Sequence, residues 1–246
     1  KNEKNKYSSL IKMNDLAYYL IDNVSVTPIG KNKKITSLTK ELACTSLQKT
    51  TSNNLIIDGE FNLNKTENIA WKNASEGTPD FLKNSVGLYL YSEINKNNRE
   101  YIISSLKEKL SPCSQYYFEM KVKRNSAYKY STDQIGIALV DSFKTQKGRD
   151  VFSLEPAYHS PQFHLINNTE NWITLCGSIT PKSCSSSIII GNFNTDDKTF
   201  IYSSEDSGSG PFAYYFIDDV KLFKIDTNKN CISPCFKAIV NIDTDM

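Results

Sequence analysis

Residues 213–224 read AYYFIDDVKLFK, a run of aromatic and aliphatic residues interrupted by two adjacent acids. Short runs rich in Val, Ile, Tyr and Phe are typical of β-strands. Since neighbours in a strand point to opposite faces, the pattern places Phe216, Asp218, Val220 and Leu222 on one face, which is the apolar one. A carboxylate on that face lies near the core and needs a partner.

The same stretch occurs a second time, because residues 17–26 read AYYLIDNVSV. The likeness extends backwards, since Tyr7-Ser8-Ser9 precedes the first copy and Tyr202-Ser203-Ser204 the second. A repeated segment indicates a repeated structural unit. We therefore expect residues 1–30 to be the closing strand of a preceding copy, and the chain to be a piece of a longer protein. That strand would pair with the main domain, be held by a partner chain or swap into a neighbouring copy.

Strand-like runs occupy most of the chain between these copies, bounded by Asn, Asp, Ser and Gly. Residues 99–110 are compatible with a short helix or an irregular strand, and 141–170 with a long connection. Many short strands with little helix predict an all-β fold, an antiparallel jelly-roll β-sandwich with an N-terminal extension. The predicted strands are 54–57, 86–91, 115–122, 134–140, 171–179, 186–193, 199–202 and 213–224.

Composition limits the class of protein. Of the 246 residues 39% are hydrophobic and 23% charged, which is typical of a folded soluble chain. A net charge of only +2 argues against nucleic acid as the main partner. No apolar run reaches the roughly 20 residues that a transmembrane helix needs.

Six cysteines, an even number, suggest disulfides and an oxidising compartment. Cys176 and Cys184 flank a turn and are candidates for a pair across a hairpin. Cys44 lies just before the main domain, and Cys231 and Cys235 just after it, so a bridge between Cys44 and one of the other two is a second candidate. The alternative for all of them is free, buried thiols.

The main domain opens with NLIIDGEFN at 54–62 and closes with YYFIDDVKLFKI at 214–225. This pair of ends resembles the galactose-binding-like jelly roll, the fold of many carbohydrate-binding modules. The segments between the ends resemble jelly-roll domains of Bacteroidetes cell-surface, gliding-motility, type IX secretion or OmpA-associated proteins. They include 77–81, 99–102, 130–136, 171–174 and 190–193. The resemblance covers about residues 53–225, with a linker at 31–52 and a C-terminal extension at 226–246.

The resemblance implies a structural calcium that links the opening strand to the closing aspartate. Its ligands here would be Asp58, Asn62 and Asp218. Asn62 replaces the usual glutamate, and calcium accepts amide oxygens but binds more weakly when fewer ligands are charged. The alternative is that Asp218 accepts hydrogen bonds from protein groups.

Sugar-binding modules commonly pack exposed aromatic rings against the apolar face of a sugar. By alternation Tyr89 and Tyr91 share one face, and Tyr128 and Tyr130 repeat the pattern. The alternative is that these tyrosines are ordinary sheet residues and that Trp71 and Trp172 fill the core. The candidate ligand-binding residues are Trp71, Tyr89, Tyr91, Arg99, Tyr128 and Tyr130.

The function predicted first is a non-catalytic extracellular module of a bacterial cell-surface or outer-membrane-associated protein. It would serve adhesion, surface assembly or binding to other domains or chains. The alternative is a carbohydrate-binding module of a polysaccharide-utilising system, with glycans as partners. An enzyme is the third possibility, and Glu100 and Asp133 are its least unsuitable acids. His159 and His164 lie in a proline-containing loop and are expected to be ordinary exposed residues.

Overall fold

The computed structural model describes residues 53–62, 70–162, 164–203, 208–227 and 235. In this part of the chain β-strands account for nearly all regular structure, with one short 3-10 helix at Asp196–Lys198. The strands are β1 Trp71–Asn73, β2 Asp80–Leu82, β3 Ser85–Ser92, β4 Ile102–Ser105, β5 Ser114–Arg124, β6 Tyr130–Thr132, β7 Gly136–Val140, β8 Tyr158–His159, β9 Ile173–Ile179, β10 Ser187–Gly191, β11 Ile201–Ser203 and β12 Phe212–Thr227.

Two five-stranded antiparallel sheets form a sandwich. Sheet A has the order β1-β4-β10-β7-β8, and sheet B has the order β2-β3-β12-β5-β9. A small two-stranded sheet joins β6 to β11. This all-β sandwich confirms the fold class predicted from the strand pattern.

The main core lies between the sheets, and in β5 it follows from a regular alternation of buried and more exposed side chains. In β5 the side chains of Tyr116, Phe118, Met120 and Val122 are buried, while their neighbours in the strand are more exposed. Ile188 and Ile190 of β10 supply the opposite wall. Burial of these apolar side chains, at about 1.5–3 kcal/mol each, stabilises the sandwich.

Strand β12 breaks the alternation at Asp218 and Asp219. Asp218 pairs with Lys121 and Lys221 with Glu119, so three steps along β12 match two along β5, which is a β-bulge. Asp219 adopts a left-handed φ of 51° there. Tyr215 and Ile217 face the core before the bulge, and Val220 and Leu222 face it afterwards.

This bulge overturns one sequence prediction. Asp218 does not share the core face with Val220 and Leu222, because the extra residue reverses which positions point inward. It is half-buried on the outer side of the sheet, on the face of Phe216.

The predicted strands at 86–91, 115–122, 134–140, 171–179, 186–193, 199–202 and 213–224 correspond to observed strands, with shifted ends. The prediction for 54–57 is wrong, since this segment forms only an isolated bridge from Ile56 to Leu106. Residues 99–110 contain strand β4 and no helix. The connection at 141–170 contains only the two residues of β8 within its described positions.

A second apolar cluster covers the outer face of sheet A. Ile103, Ala138 and Ile189 point outward from that sheet and pack against Phe152 and Leu154 of the 141–157 loop. Sheet A is therefore buried on both sides. No helix of the described residues is long and apolar enough to cross a membrane.

Cys184 is bonded to Cys235, with 5.3 Å between the Cα atoms. The predicted pair of Cys176 with Cys184 is therefore wrong, as is a bond between Cys44 and Cys235. Cys113 and Cys176 are also disulfide-bonded, and no described cysteine is a free thiol. The hairpin pairing fails because Cys184 lies beyond the end of β9, beside residues 110 and 235.

Strand β12 extends through Thr227, two residues past the predicted domain end at 225. The predicted preceding repeat at 1–30 lies outside the described residues. So do the linker at 31–52 and nearly all of the extension at 226–246.

Candidate functional site

Four aromatic rings form a cluster on the outer face of sheet B. Tyr89 of β3 stacks on Phe212 of β12 with 4.8 Å between ring centroids. Tyr128, from the turn after β5, stacks on Tyr214 at 4.7 Å and contacts Phe212 at 5.9 Å. We call these four residues the tyrosine cluster. Tyr89 and Tyr214 are its buried layer, and Tyr128 and Phe212 are half-exposed.

A glycine makes room for the buried layer. A Cβ atom at Gly87 would lie 2.0 Å from the hydroxyl oxygen of Tyr214, so the Tyr214 ring lies directly over this position of β3. Its hydroxyl donates a hydrogen bond of 2.5 Å to Oδ2 of Asp80 on the edge strand β2. Burial first, and then this bond to Asp80, raise the pKa of Tyr214 far above its ordinary value. The ring is therefore held as a neutral phenol in one position.

Polar groups border the cluster on the β3 side. The Tyr89 hydroxyl donates to Oδ1 of Asn98. Burial and the charge of Glu100 raise the pKa of Tyr89, while the neighbouring Arg149 guanidinium opposes the shift. Asp80, Asn98 and Arg149 thus place acceptors and donors beside aromatic rings.

Glu100 lies under this border and is only 2% exposed. Its carboxylate accepts hydrogen bonds from the backbone N–H groups of Thr78 at 2.8 Å and Tyr89 at 3.1 Å. Burial raises the pKa of Glu100, and these two N–H groups only partly offset the increase. Glu100 therefore positions β3 and the 77–79 segment from beneath.

Tyr91 and Tyr130 lie away from the cluster, against each other. Their rings meet edge-on at 5.3 Å, and both pack against the main core. The prediction that Tyr89 and Tyr91 share one face is wrong, because a register shift between β3 and β12 at Ala213/Tyr214 lies between them. Each pair predicted from the sequence is therefore split: Tyr89 and Tyr128 belong to the tyrosine cluster, whereas Tyr91 and Tyr130 pack against the main core.

Trp71 and Arg99 are buried. Trp71 is 3% exposed, stacks on Phe61 at 5.2 Å and donates its indole N–H to the Asp58 carbonyl at 2.6 Å. Arg99 is fully buried and forms a 2.7 Å ion pair with Asp196. Neither side chain offers a face to a ligand, in line with the alternative that Trp71 fills the core.

Asp58 and Asn62 lie in the opening segment, where the Asn62 N–H donates to Oδ1 of Asp58 at 3.2 Å. Asp218 accepts the Asp219 N–H at 2.6 Å. Burial raises the pKa of Asp218, and Glu60 is among the negative charges that add to the increase. No three His, Cys, Asp or Glu side chains converge on a metal-sized space in the described residues. A calcium ion at these residues would depend on amide and carbonyl oxygens as well as carboxylates.

The acids considered for catalysis are both held by backbone groups. Asp133 is buried and accepts the Phe200 N–H at 3.2 Å, as Glu100 accepts those of Thr78 and Tyr89. His159 and His164 are exposed, as expected from the sequence.

Sequence reasoning missed Asp80, Phe212 and Tyr214 as members of the site. The signal for the last two was present, since Phe212, Tyr214 and Phe216 alternate along one strand. No sequence pattern indicates Asp80 as a site residue, because its position beside Tyr214 depends on the pairing of β2 with β3.

No protein-family model matches the sequence, and no curated protein matches it. Solved structures resemble it at low identity. The N-terminal cellulose-binding domain of Cellulomonas fimi β-1,4-glucanase C gives a TM-score of 0.42 at 9% identity, over 71% of this chain and 99% of that domain. The second such domain of the same enzyme gives 0.41 at 9%, over 72% and 98%. The CBM22-1 xylan-binding domain of Paenibacillus barcinonensis Xyn10C gives 0.32 at 11%, over 72% and 99%. The likeness assigns no ligand to this chain.

Proposed function

We propose that this chain is a non-catalytic carbohydrate-binding module whose ligand packs on the tyrosine cluster. The observation that carries the proposal is the half-exposed Tyr128 ring, held parallel to the buried Tyr214 ring at 4.7 Å. A rigid ring with one open side provides apolar contact area at little cost in conformational entropy. The C–H face of a sugar ring is the complementary surface.

The polar border supports a ligand rich in hydroxyl groups. Carboxylate and amide oxygens accept hydrogen bonds, while a guanidinium only donates them. Asp80, Asn98 and Arg149 supply all three kinds within the same area. Binding sites that combine apolar walls with a few oriented polar groups are the usual design for small ligands.

The hydrogen bonding of the two buried acids, Glu100 and Asp133, supports a binding role without catalysis. Glycoside hydrolysis requires two carboxyl groups placed on either side of the scissile bond. Glu100 and Asp133 instead accept backbone N–H groups inside the protein.

An extracellular location is part of the proposal, because disulfides persist in oxidising compartments and Cys184–Cys235 is one. Adhesion or surface assembly in a Bacteroidetes gliding, secretion or outer-membrane system remains a prediction of the sequence resemblance. Calcium at Asp58, Asn62 and Asp218 also remains a proposal.

The test is binding of the whole chain to a panel of soluble β-glucans, xylans, mannans and galactans by calorimetry. We expect saturable binding to one class and at least a tenfold loss in Tyr128→Ala, which corresponds to about 1.4 kcal/mol. Tyr128→Phe should retain most of the affinity.

Tyr202→Ala is the matched control, since Tyr202 is 47% exposed but lies on β11, outside the cluster. Binding that Tyr128→Ala and Tyr202→Ala leave equally intact would place the ligand elsewhere. No binding to any glycan would overturn the proposal.

A further inference from the structure

A second aromatic position lies on the outer face of sheet B, beyond the tyrosine cluster. Trp172 immediately precedes β9, and the Lys123 ammonium lies over its ring, 5.0 Å from the centroid. Both side chains point outward, because their neighbours Val122 and Ile173 pack in or against the main core. Trp172 is 36% exposed, so part of the indole ring is open to a ligand.

Phe216 of β12 joins this position to the tyrosine cluster. Its ring meets the Tyr214 ring edge-on at 5.6 Å, and Lys123 is its register partner on β5. Strands β3, β12, β5 and β9 are successive neighbours, and the Tyr214 ring lies over β3. The row from this ring to Trp172 therefore crosses three strand spacings, about 14 Å. It is longer than one sugar ring and fits an oligosaccharide that lies across the strands.

The Lys123 ammonium differs from the other lysines near it on this face. Lys121 pairs with Asp219 at 3.1 Å, and Lys221 pairs with Glu119 at 3.1 Å. Among the described residues Lys123 forms no ion pair with a carboxylate. An aromatic ring attracts an ammonium group but does not neutralise its charge. Lys123 therefore keeps N–H donors for an anionic group of a ligand.

We infer that the ligand on this face is an acidic oligosaccharide, with a uronic acid whose carboxylate binds Lys123 and whose ring contacts Trp172. The inference rests on the proposed carbohydrate-binding function and names its ligand class. A hydrogen bond between an ammonium and a carboxylate is roughly twice as strong as one between neutral groups. At the other end of the row the Asp80 carboxylate and the Arg149 guanidinium are both present, so a neutral sugar fits on Tyr128 there.

Acids around Lys123 limit how much negative charge the ligand carries. Glu170 is exposed in the turn before Trp172, and Asp218 is the register partner of Lys121 on the same face. A polymer with a charge on every unit would meet these carboxylates as well as the ammonium, and such repulsion is a means of specificity. The arrangement therefore favours a glycan that combines uronic acids with neutral sugars.

Calorimetry with matched ligands tests the inference on the whole chain. The probes are oligosaccharides from glucuronoxylan, hyaluronan and xanthan, each measured again after its carboxylates have been reduced to hydroxymethyl groups. Reduction removes the charge and keeps the sugar chain. We expect at least one probe to bind saturably and its reduced form to bind about tenfold more weakly. High salt should weaken binding of the acidic form more than that of the reduced form.

Variants of Lys123 test the same contact from the side of the protein. Lys123→Met removes the ammonium at similar side-chain length and should weaken binding of the acidic probe about tenfold, with little effect on the reduced probe. Lys123→Arg should retain most of the affinity. Lys182→Met is the matched control, since it removes one positive charge from a 78% exposed side chain beyond the far end of β9.

Tryptophan fluorescence gives an independent readout. The chain has two tryptophans, and Trp71 is 3% exposed, so quenching by acrylamide reports mainly on Trp172. A bound acidic probe should protect the wild type from quenching. It should protect Lys123→Met only at a correspondingly higher concentration.

Equal affinity for a probe and its reduced form, with Tyr128→Ala still weakening binding, would overturn the inference and leave the proposed function standing. Unchanged affinity in Lys123→Met would do the same. Binding of poly-L-glutamate as tightly as the acidic probe would show that the face recognises charge and not a sugar. An acidic probe that depends on Lys123 but not on Tyr128 would contradict a single row. No binding to any glycan, neutral or acidic, would overturn both proposals.

Discussion

At the scale of single residues, Gly87 shows how the site depends on a missing side chain. The Tyr214 ring occupies the space above it and reaches Asp80 on the neighbouring strand. Any Cβ at this position must displace the Tyr214 ring, which is the ring that Tyr128 stacks on. The glycine is required here for space, since its φ is not in the left-handed region.

Gly87→Ala is expected to destabilise the protein by about 1–3 kcal/mol, as other overpacked positions are. Urea unfolding measures the change. In a Tyr214→Ala background the same substitution should cost much less, because the atom that it meets is gone. Equal costs in both backgrounds would show that the clash is not with Tyr214.

Asp219 combines a left-handed backbone with two ion pairs, to Lys221 at 2.8 Å and Lys121 at 3.1 Å. Burial acts to raise its pKa, but the two lysines outweigh burial and the pKa of Asp219 is lowered. A lowered pKa in the folded state stabilises the protein above the unfolded-state pKa, and this contribution is lost as the pH falls through the folded value.

We therefore predict a pH-dependent difference between the wild type and Asp219→Asn, which keeps a residue that tolerates φ > 0. The free energies of unfolding should differ by a constant amount from pH 7 to about pH 5 and should converge as the pH falls below the ordinary value of 3.8. Urea titrations at several pH values measure this. A difference that stays constant down to pH 3 would exclude the ion pairs as its cause, and 1 M salt should reduce it.

At the scale of elements, the opening segment 53–59 forms hydrogen bonds to the edge of β12 as a neighbouring strand would, although it is not itself a strand. Asn54 accepts the N–H groups of Leu222 at 2.9 Å and Ile56 at 3.1 Å, and donates to the Val220 carbonyl at 3.2 Å. These bonds cover the edge of β12 beyond the point where β3 ends. They add to two backbone bonds between the same segments, from the Leu55 N–H to the Leu222 carbonyl and from the Val220 N–H to the Gly59 carbonyl.

Asn54→Ala is expected to lower the free energy of unfolding by about 2 kcal/mol, because it leaves groups on β12 without partners. Asn62→Ala is the control, since the Asn62 side chain makes an exposed bond to Glu60 and should change stability by less than about 0.5 kcal/mol. Chemical denaturation of both variants checks the prediction. Equal, small effects would mean that water replaces the Asn54 bonds.

Period-two alternation in the sequence predicts the long strands and the sandwich, because each long strand buries one face. It does not predict the bulges. At the first bulge the left-handed residue is Asp219 and not the glycine that would mark such a position in a sequence. The register shift between Tyr89 and Tyr91 is not marked by a glycine or proline either. One extra residue reverses the direction of every later side chain, so the predictions for Asp218 and for a shared face of Tyr89 and Tyr91 failed at these points. Strands as short as β8 carry too few residues for any pattern.

At the scale of the whole molecule, the two outer faces of the sandwich differ. The 141–157 loop packs on sheet A and forms the second apolar cluster there. Sheet B carries outward-facing lysines, acids and aromatic rings, including an exposed Trp172 under the Lys123 ammonium at 5.0 Å. Aromatic surface is therefore exposed on the outer face of sheet B.

Calcium is a prediction at this same scale, because an ion between the opening segment and β12 would join the two ends of the domain. We expect millimolar calcium to raise the Tm of the whole chain, since a ligand that binds only the folded state stabilises it. Asp218→Asn should abolish the increase while keeping the acceptor for the Asp219 N–H. Asp197→Asn, in the exposed 3-10 helix, is the control and should respond as the wild type does. Equal Tm values with calcium and with EDTA would contradict the prediction and leave Asp218 as an acid that accepts a backbone N–H beside the bulge.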